Sequence, residues 1–71
     1  MFSARYKKLG AKISYYRKLK GLKQAELASA TALSSSYISE IECGSACGCP
    51  LSVYWRIAEA LGVEFEELLK D

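Results

Sequence analysis

Three cysteines stand close together in the chain, and thiols at this spacing can form a disulfide or bind a metal ion. They are Cys43, Cys47 and Cys49. A structural zinc site needs four ligands, but the chain contains no histidine and no C-x-x-C pair. The pattern therefore favours plain thiols without a metal, and a regulatory disulfide or metal binding remain the alternatives.

The absence of histidine also argues against catalysis, because histidine is the commonest general base. The sequence shows neither a nucleophile–base pair nor a glycine-rich phosphate loop. We therefore expect that the protein is not an enzyme and that it uses no cofactor.

Charge is unevenly divided along the chain, although the net charge is only +2. Eight basic residues precede the first acid, Glu26, namely Arg5, Lys7, Lys8, Lys12, Arg17, Lys18, Lys20 and Lys23. Such a division predicts a surface that meets a polyanion. The alternative is the solvated face of an amphipathic helix.

Four serines and one glutamate lie in residues 34–40, inside a segment with helical apolar spacing. The apolar positions fall in two clusters separated by small residues: Leu22, Leu27 and Ala28, then Leu33, Ile38 and Ile41. Two short helices joined by a tight turn fit this arrangement. Helix–turn–helix units of this kind present their second helix to the DNA major groove.

Five helices position these residues, and we predict no strands. Their expected ranges are 6–19, 24–30, 35–42, 50–61 and 64–70. We expect Gly21 and Gly62 to end helices, Ser34 to cap the third helix, and Gly44 to close it in a left-handed conformation. The expected inward residues outside the two clusters are Leu9, Ile13, Tyr16, Leu51, Tyr54, Ile57, Ala58, Leu61, Phe65, Leu68 and Leu69. The fold class is all-α, with one domain over residues 1–71.

Two segments, LKQAELASATALSSSYISEIECG and IAEALGVEFEELL, resemble the lambda-repressor-like family of Cro and XRE-type regulators. The resemblance extends over residues 9–69. It implies a compact five-helix domain that regulates transcription, binding double-stranded operator DNA as a dimer through its third helix. A rival interpretation is a protein-interaction module of the same fold that uses its acidic C-terminal half.

The resemblance also implies roles for individual residues. Gln24 would anchor a DNA phosphate, while serines and Glu40 of the third helix would face the bases; Glu40 can accept a hydrogen bond from a cytosine amino group. Arg17 and Glu42 would form a partly buried ion pair, and the Arg17 guanidinium could also reach a phosphate. Tyr37 would touch the DNA backbone, and the alternative is that it only covers the surface of the second helix. The complete expected DNA-binding set is Lys23, Gln24, Ser34, Ser35, Ser36, Tyr37, Ser39 and Glu40.

The chain departs from the family pattern at Lys23, where a serine or threonine commonly caps the second helix. We expect that cap to be lost and the lysine to reach a phosphate instead. The loop after Gly44 has no basic residue, so phosphate contacts from that side are doubtful.

The C-terminal segment offers apolar residues for a homodimer interface: Val63, Phe65, Leu68 and Leu69. The alternative is that these residues only complete the core of the monomer. No apolar run approaches the ~18 residues of a membrane span, and no signal peptide is apparent, so we expect a cytoplasmic protein without membrane association.

Overall fold

The structure, a computed structural model, describes residues 2–45 and 50–70, with the side chains of residues 2, 3 and 5 left out. The described residues form five α-helices and no strand. The helices are α1 (Phe2–Leu19), α2 (Gln24–Thr31), α3 (Ser35–Cys43), α4 (Leu51–Leu61) and α5 (Phe65–Leu69). This arrangement confirms the all-α class and places the helix–turn–helix in α2 and α3. None of these helices is long and apolar enough to cross a membrane.

The predicted helix ends are mostly confirmed. The Ser34 hydroxyl accepts the backbone N–H of Tyr37 at 3.1 Å, which caps α3. Gly44 closes α3 with a φ of 78°, a conformation that glycine adopts without a steric penalty. The largest boundary error is in α1, which begins four residues earlier than expected. Pro50 precedes α4 as its N-cap residue, and the expected bounds of α2, α3 and α5 differ from the observed ones by one residue.

The core lies where α1, α3 and α4 meet the other two helices. Its buried apolar members are Ile13, Leu27, Ala28, Ile38, Ile41, Val53, Tyr54, Ile57, Ala58, Leu61 and Leu68. Partly buried side chains surround it, including Leu9, Tyr16, Leu22, Leu33 and Phe65. The two apolar clusters predicted for the helix–turn–helix therefore face one common core.

Two residues expected to point inward are exposed instead. Leu51 is 59% exposed and Leu69 is 60% exposed. Leu51 begins α4 on the same side as exposed Trp55, while the buried stripe of that helix starts at Val53, which the prediction omitted. In α5 only one side of a five-residue helix faces the core, and Leu68 occupies it at 2% exposure.

A glycine allows α1 to approach the end of α3 closely. Gly10 is buried within α1, and a Cβ atom added there would lie 2.6 Å from the carbonyl oxygen of Glu42 and closer still to that of Ile41. Real Cβ atoms essentially never approach an oxygen that closely. The absence of a side chain at Gly10 therefore sets the distance between α1 and α3.

Candidate nucleic-acid interface

The turn between α2 and α3 is built from short-range hydrogen bonds around one left-handed residue. Ala32 has a φ of 60°, and the next residue, Leu33, donates its backbone N–H to the Ala28 carbonyl oxygen at 2.9 Å. This is the pairing of a Schellman-type helix end, in which glycine is more usual than alanine. The turn fixes the direction in which α3 leaves α2.

A second set of contacts holds the end of α2 from outside the turn. The buried Thr31 hydroxyl donates to the carbonyl oxygens of Leu27 and Ala28, and Arg56 of α4 donates from Nη1 to the Thr31 carbonyl oxygen at 3.1 Å. A cation beside the last carbonyls of a helix is favourable because those groups carry a partial negative charge. Sequence reasoning did not identify Arg56, because its partner lies 25 residues away.

The outward side of α3, which we call the recognition face, consists of Ser35, Ser36, Ser39 and Glu40. Ser35, Ser36 and Glu40 are exposed, and Ser39 is partly buried. The opposite side of the helix is anchored by Ile38 and Ile41, which are almost completely buried. The recognition face is therefore a row of short polar groups on a helix that cannot rotate without exposing its isoleucines.

Two other predicted site residues of α3 also contribute to its structure. The Ser34 hydroxyl is used as the helix cap, as described above. Tyr37 is partly buried and packs against the core cluster. That packing favours the interpretation in which Tyr37 covers the helix–turn–helix core.

Lys23 is exposed at the start of α2 and makes no side-chain cap, as expected, since an ammonium group has no acceptor. The start of the helix is nevertheless partly capped. The backbone N–H of Lys23 donates to the Glu26 carboxylate at 2.7 Å, which is one half of a capping box. The acid three residues after the cap position was the available sequence signal, and the prediction did not use it.

Arg17 and Glu42 form the ion pair that the family resemblance implied. The Arg17 Nε donates to Glu42 Oε2 at 2.7 Å and Nη2 donates to Oε1 at 3.2 Å, with the two side chains only 9% and 6% exposed. The remaining terminal nitrogen, Nη1, donates to the Leu22 carbonyl oxygen at 2.7 Å. One guanidinium therefore joins α1 to the end of α3 and to the segment before α2.

Gln24 belongs to the same network. Its Nε2 donates to Glu42 Oε1 at 3.0 Å, so the first residue of α2 is tied to the last turn of α3. An amide nitrogen has two hydrogens, and this bond uses one of them. The second hydrogen and the unpaired backbone N–H groups at the start of α2 can bind an anion.

Not all of the N-terminal basic residues are available for a polyanion. Arg17 is used in the ion pair, and the Lys12 ammonium donates to the Glu67 carbonyl oxygen of α5 at 3.2 Å. The side chain of Arg5 lies outside the described residues. Some of the N-terminal positive charges, those of Arg17 and Lys12, therefore hold α1 against other parts of the fold, and only the remaining ones can contribute to a positive surface potential.

Cys43 is the cysteine that lies within the described residues. Cys43 is a free, exposed thiol at the end of α3. Cys47 and Cys49 lie outside the described residues. In the part of the chain that is described, no three histidine, cysteine or acidic residues come together as a possible metal site.

Comparison with known proteins places this arrangement in a family. Residues 8–70 match the model of a helix-turn-helix domain family. No curated protein sequence matches the chain at a significant level.

Several solved structures share both the fold and about a third of the sequence. The restriction-modification controller protein C.AhdI from Aeromonas hydrophila is 34% identical, with 92% of this chain and 97% of that chain covered and a TM-score of 0.86. The clp gene regulator ClgR from Corynebacterium glutamicum is 31% identical, with 90% and 82% covered and a TM-score of 0.84. SinR, a master regulator for biofilm formation solved in complex with DNA, is 31% identical, with 87% and 98% covered and a TM-score of 0.80.

Proposed function

The chain belongs to the helix-turn-helix domain family, and we propose that it is a transcriptional regulator that binds operator DNA sequence-specifically as a homodimer. The observation that carries the proposal is the recognition face. It is a row of polar side chains, three of them exposed and Ser39 partly buried, on a helix whose other side is anchored by the buried Ile38 and Ile41, and the turn holds it at a fixed angle to α2. The regulators C.AhdI, ClgR and SinR, which share the fold, support the same function. The proposal includes a single domain over residues 1–71, a cytoplasmic location and no catalytic role.

Two groups of side chains would contact DNA differently. Lys23 and Gln24, at the start of α2, would bind phosphate through the ammonium, the free amide hydrogen and the backbone N–H groups. Ser35, Ser36 and Glu40 would face the base edges in the major groove. Contacts of the first kind position the protein, and contacts of the second kind select the sequence.

The dimer would form through exposed apolar side chains on α4 and α5. We call Leu51, Trp55, Phe65 and Leu69 the α4–α5 surface. Trp55 stacks on Phe65 with ring centroids 5.0 Å apart, which joins the two helices into one apolar strip, and three of the four residues are more than half exposed. Of the residues first expected at an interface, Leu68 is buried in the monomer and cannot contribute.

Selection of bound sequences from random DNA, followed by salt titration of the selected site, tests DNA recognition. We expect one palindromic site whose half-sites are about one helical turn apart, and an affinity that falls steeply as salt rises. A protein-interaction module would enrich no sequence and would bind DNA weakly at any salt concentration. That result would overturn the proposed function.

Substitution of two similarly exposed leucines, one on the proposed dimer surface and one outside it, tests the interface by sedimentation and by DNA binding. Leu69 is 60% exposed on the α4–α5 surface, and Leu19 is 64% exposed at the end of α1. We expect Leu69→Ser to shift the wild-type dimer toward monomer and to weaken operator binding, whereas Leu19→Ser should change neither. Equal effects of the two substitutions, or a monomeric wild type on DNA, would contradict the assignment.

A further inference from the structure

We propose that Glu40 selects one base pair in each half-site, preferring a pair that presents a cytosine amino group to the carboxylate over a pair that presents guanine or thymine there. This inference rests on the proposed function and concerns the sequence that the recognition face selects. It follows from the side chains present on α3, from those missing there, and from the hydrogen bonds made by the other two acids of the helix–turn–helix.

The recognition face lacks the side chains that most often distinguish bases. Arginine and lysine bind guanine through O6 and N7, and asparagine and glutamine bind adenine through N6 and N7. The sequence of α3, SSYISEIEC, contains none of these four residue types, and neither does the loop GSACGCP that follows it. The common means of selecting guanine or adenine are therefore absent from α3.

The serines provide little discrimination by themselves. A hydroxyl donates or accepts, so it adapts to any base edge. Among the four serines of residues 34–39, Ser34 is already used in the helix cap. Ser35, Ser36 and Ser39 are short, which lets the α3 backbone approach the groove closely.

Glu40 is chemically different from the other side chains of this face, because a carboxylate only accepts hydrogen bonds. In the major groove only cytosine N4 and adenine N6 donate, whereas guanine and thymine present acceptors. Adenine also presents the acceptor N7 beside its amino group, so cytosine suits a carboxylate better. Any base pair without a suitably placed amino group would leave Glu40 desolvated and facing another acceptor.

The structure shows that Glu40 is the acid left available for this role. Glu26 accepts the backbone N–H of Lys23, and Glu42 is bound by Arg17 and Gln24. Within the described residues no hydrogen bond or ion pair is recorded for the Glu40 carboxylate, and the side chain is exposed one turn after Ser36. The helix–turn–helix thus satisfies two carboxylates internally and presents one outward.

A carboxylate between two phosphate backbones also repels DNA, so Glu40 lowers affinity for every sequence that lacks its donor. Selectivity would then arise mainly from rejection of wrong base pairs. This differs from recognition by an arginine, which raises affinity for the right base and also attracts all DNA.

The test is Glu40→Gln, which keeps the size of the side chain and replaces one acceptor oxygen with a donor nitrogen. Selection from random DNA is carried out with the wild type, with Glu40→Gln and with Glu59→Gln. Glu59 is exposed on α4, outside the recognition face, so it controls for the loss of one negative charge. Because it lies one turn after Trp55 of the α4–α5 surface, sedimentation of Glu59→Gln establishes that the dimer is retained. Circular dichroism and thermal unfolding establish that all three proteins are folded.

We expect the wild type to select C·G at one position in each half-site and Glu40→Gln to select A·T there, because glutamine pairs with adenine N6 and N7. The affinity ratio between the two base pairs should change by about tenfold to a hundredfold. Glu40→Gln should also bind scrambled DNA several-fold more tightly than Glu59→Gln does. Glu59→Gln should retain the wild-type site.

An unchanged base preference in Glu40→Gln would overturn the inference while leaving the proposed function intact, since the wild type would still select a site. A wild type that selects no site would overturn both. A wild type that shows no preference for C·G at the position that Glu40→Gln alters would refute the role of the carboxylate, even if Glu40→Gln changes affinity.

Discussion

Replacing Gly10 with alanine should destabilise the protein, although alanine is the better helix former. In the interior of a helix, glycine to alanine gains ~1 kcal/mol from backbone propensity. At Gly10 the added Cβ would lie 2.6 Å from the Glu42 carbonyl oxygen and 2.8 Å from its carbonyl carbon. These are backbone atoms near the end of α3, so no side-chain rotation relieves the overlap.

The overlap can be removed only if α1 moves away from α3. Non-bonded carbon and oxygen atoms need roughly 3.5 Å, so the helices must separate by ~1 Å, and Ile13 and Ile41 lose part of their packing. Overpacking of this kind costs ~1–3 kcal/mol, and the adjacent Arg17–Glu42 pair is stretched as well. We expect a net loss of ~2 kcal/mol, against a total stability of about 4–10 kcal/mol for a domain of this size.

The assay is guanidinium unfolding followed by circular dichroism, with thermal unfolding as a second measure. Each kcal/mol lost should lower the midpoint temperature by ~4–8 °C. Ala11→Gly is the matched control, because Ala11 is the exposed neighbour of Gly10 in α1. The control should lose ~1 kcal/mol from propensity alone. A Gly10→Ala variant as stable as the wild type, or more stable, would refute the argument that α1 and α3 are in closest contact at this glycine.

Three further predictions follow from the contacts of the helix–turn–helix. Arg17→Met should lose ~3–5 kcal/mol in the same unfolding assay, because it leaves the Glu42 carboxylate buried without its partner, and Arg17→Met with Glu42→Met should regain much of that loss. Ala32→Gly should stabilise the protein by up to ~1 kcal/mol, since relief of the left-handed strain outweighs the larger unfolded-state entropy of glycine; a lower unfolding midpoint would contradict this. Lys23→Ala should weaken binding to operator and to scrambled DNA by the same factor and reduce the salt slope by about one unit, as fluorescence anisotropy across a salt series would show.

The ends of the helices were predictable from the sequence because a helix end depends on a few adjacent residues. Ser34 caps α3 through a bond to a residue three positions away, and Gly44 needs only its own left-handed conformation. The recognition face was predictable for a similar reason. Once Ile38 and Ile41 are assigned to the core, helical periodicity decides which α3 residues point outward.

Features that depend on how helices pack together were not predictable from periodicity. Leu51 and Leu69 fit an apolar pattern, but both are exposed. The sequence around the end of a helix does not specify which side of that helix will pack against the core. In the sequence Gly10 is only a glycine inside a predicted helix. The structure shows why a glycine is needed there, because it lies against the backbone carbonyls of α3. Arg56 and Gln24 were missed as structural contacts because their partners are 25 and 18 residues away.

The ion pair between Arg17 and Glu42 also decides the electrostatics of α3. Glu42 lies in the last turn of α3, where the partial negative charge of the helix end disfavours a carboxylate. Arg17 and Gln24 compensate that charge, so of the two acids of α3 only Glu40 is left exposed without a hydrogen-bonded partner among the described residues. Three of the five N–H donors of the guanidinium are already used, and its side chain is 9% exposed, so phosphate binding by Arg17 is at most a minor contribution.

The variant with methionine at both Arg17 and Glu42 separates the structural role of the pair from phosphate binding by Arg17, because it removes one positive and one negative charge together. If the pair acts through structure and neutralisation, that variant binds scrambled DNA as the wild type does; a several-fold loss would assign a direct phosphate contact to Arg17.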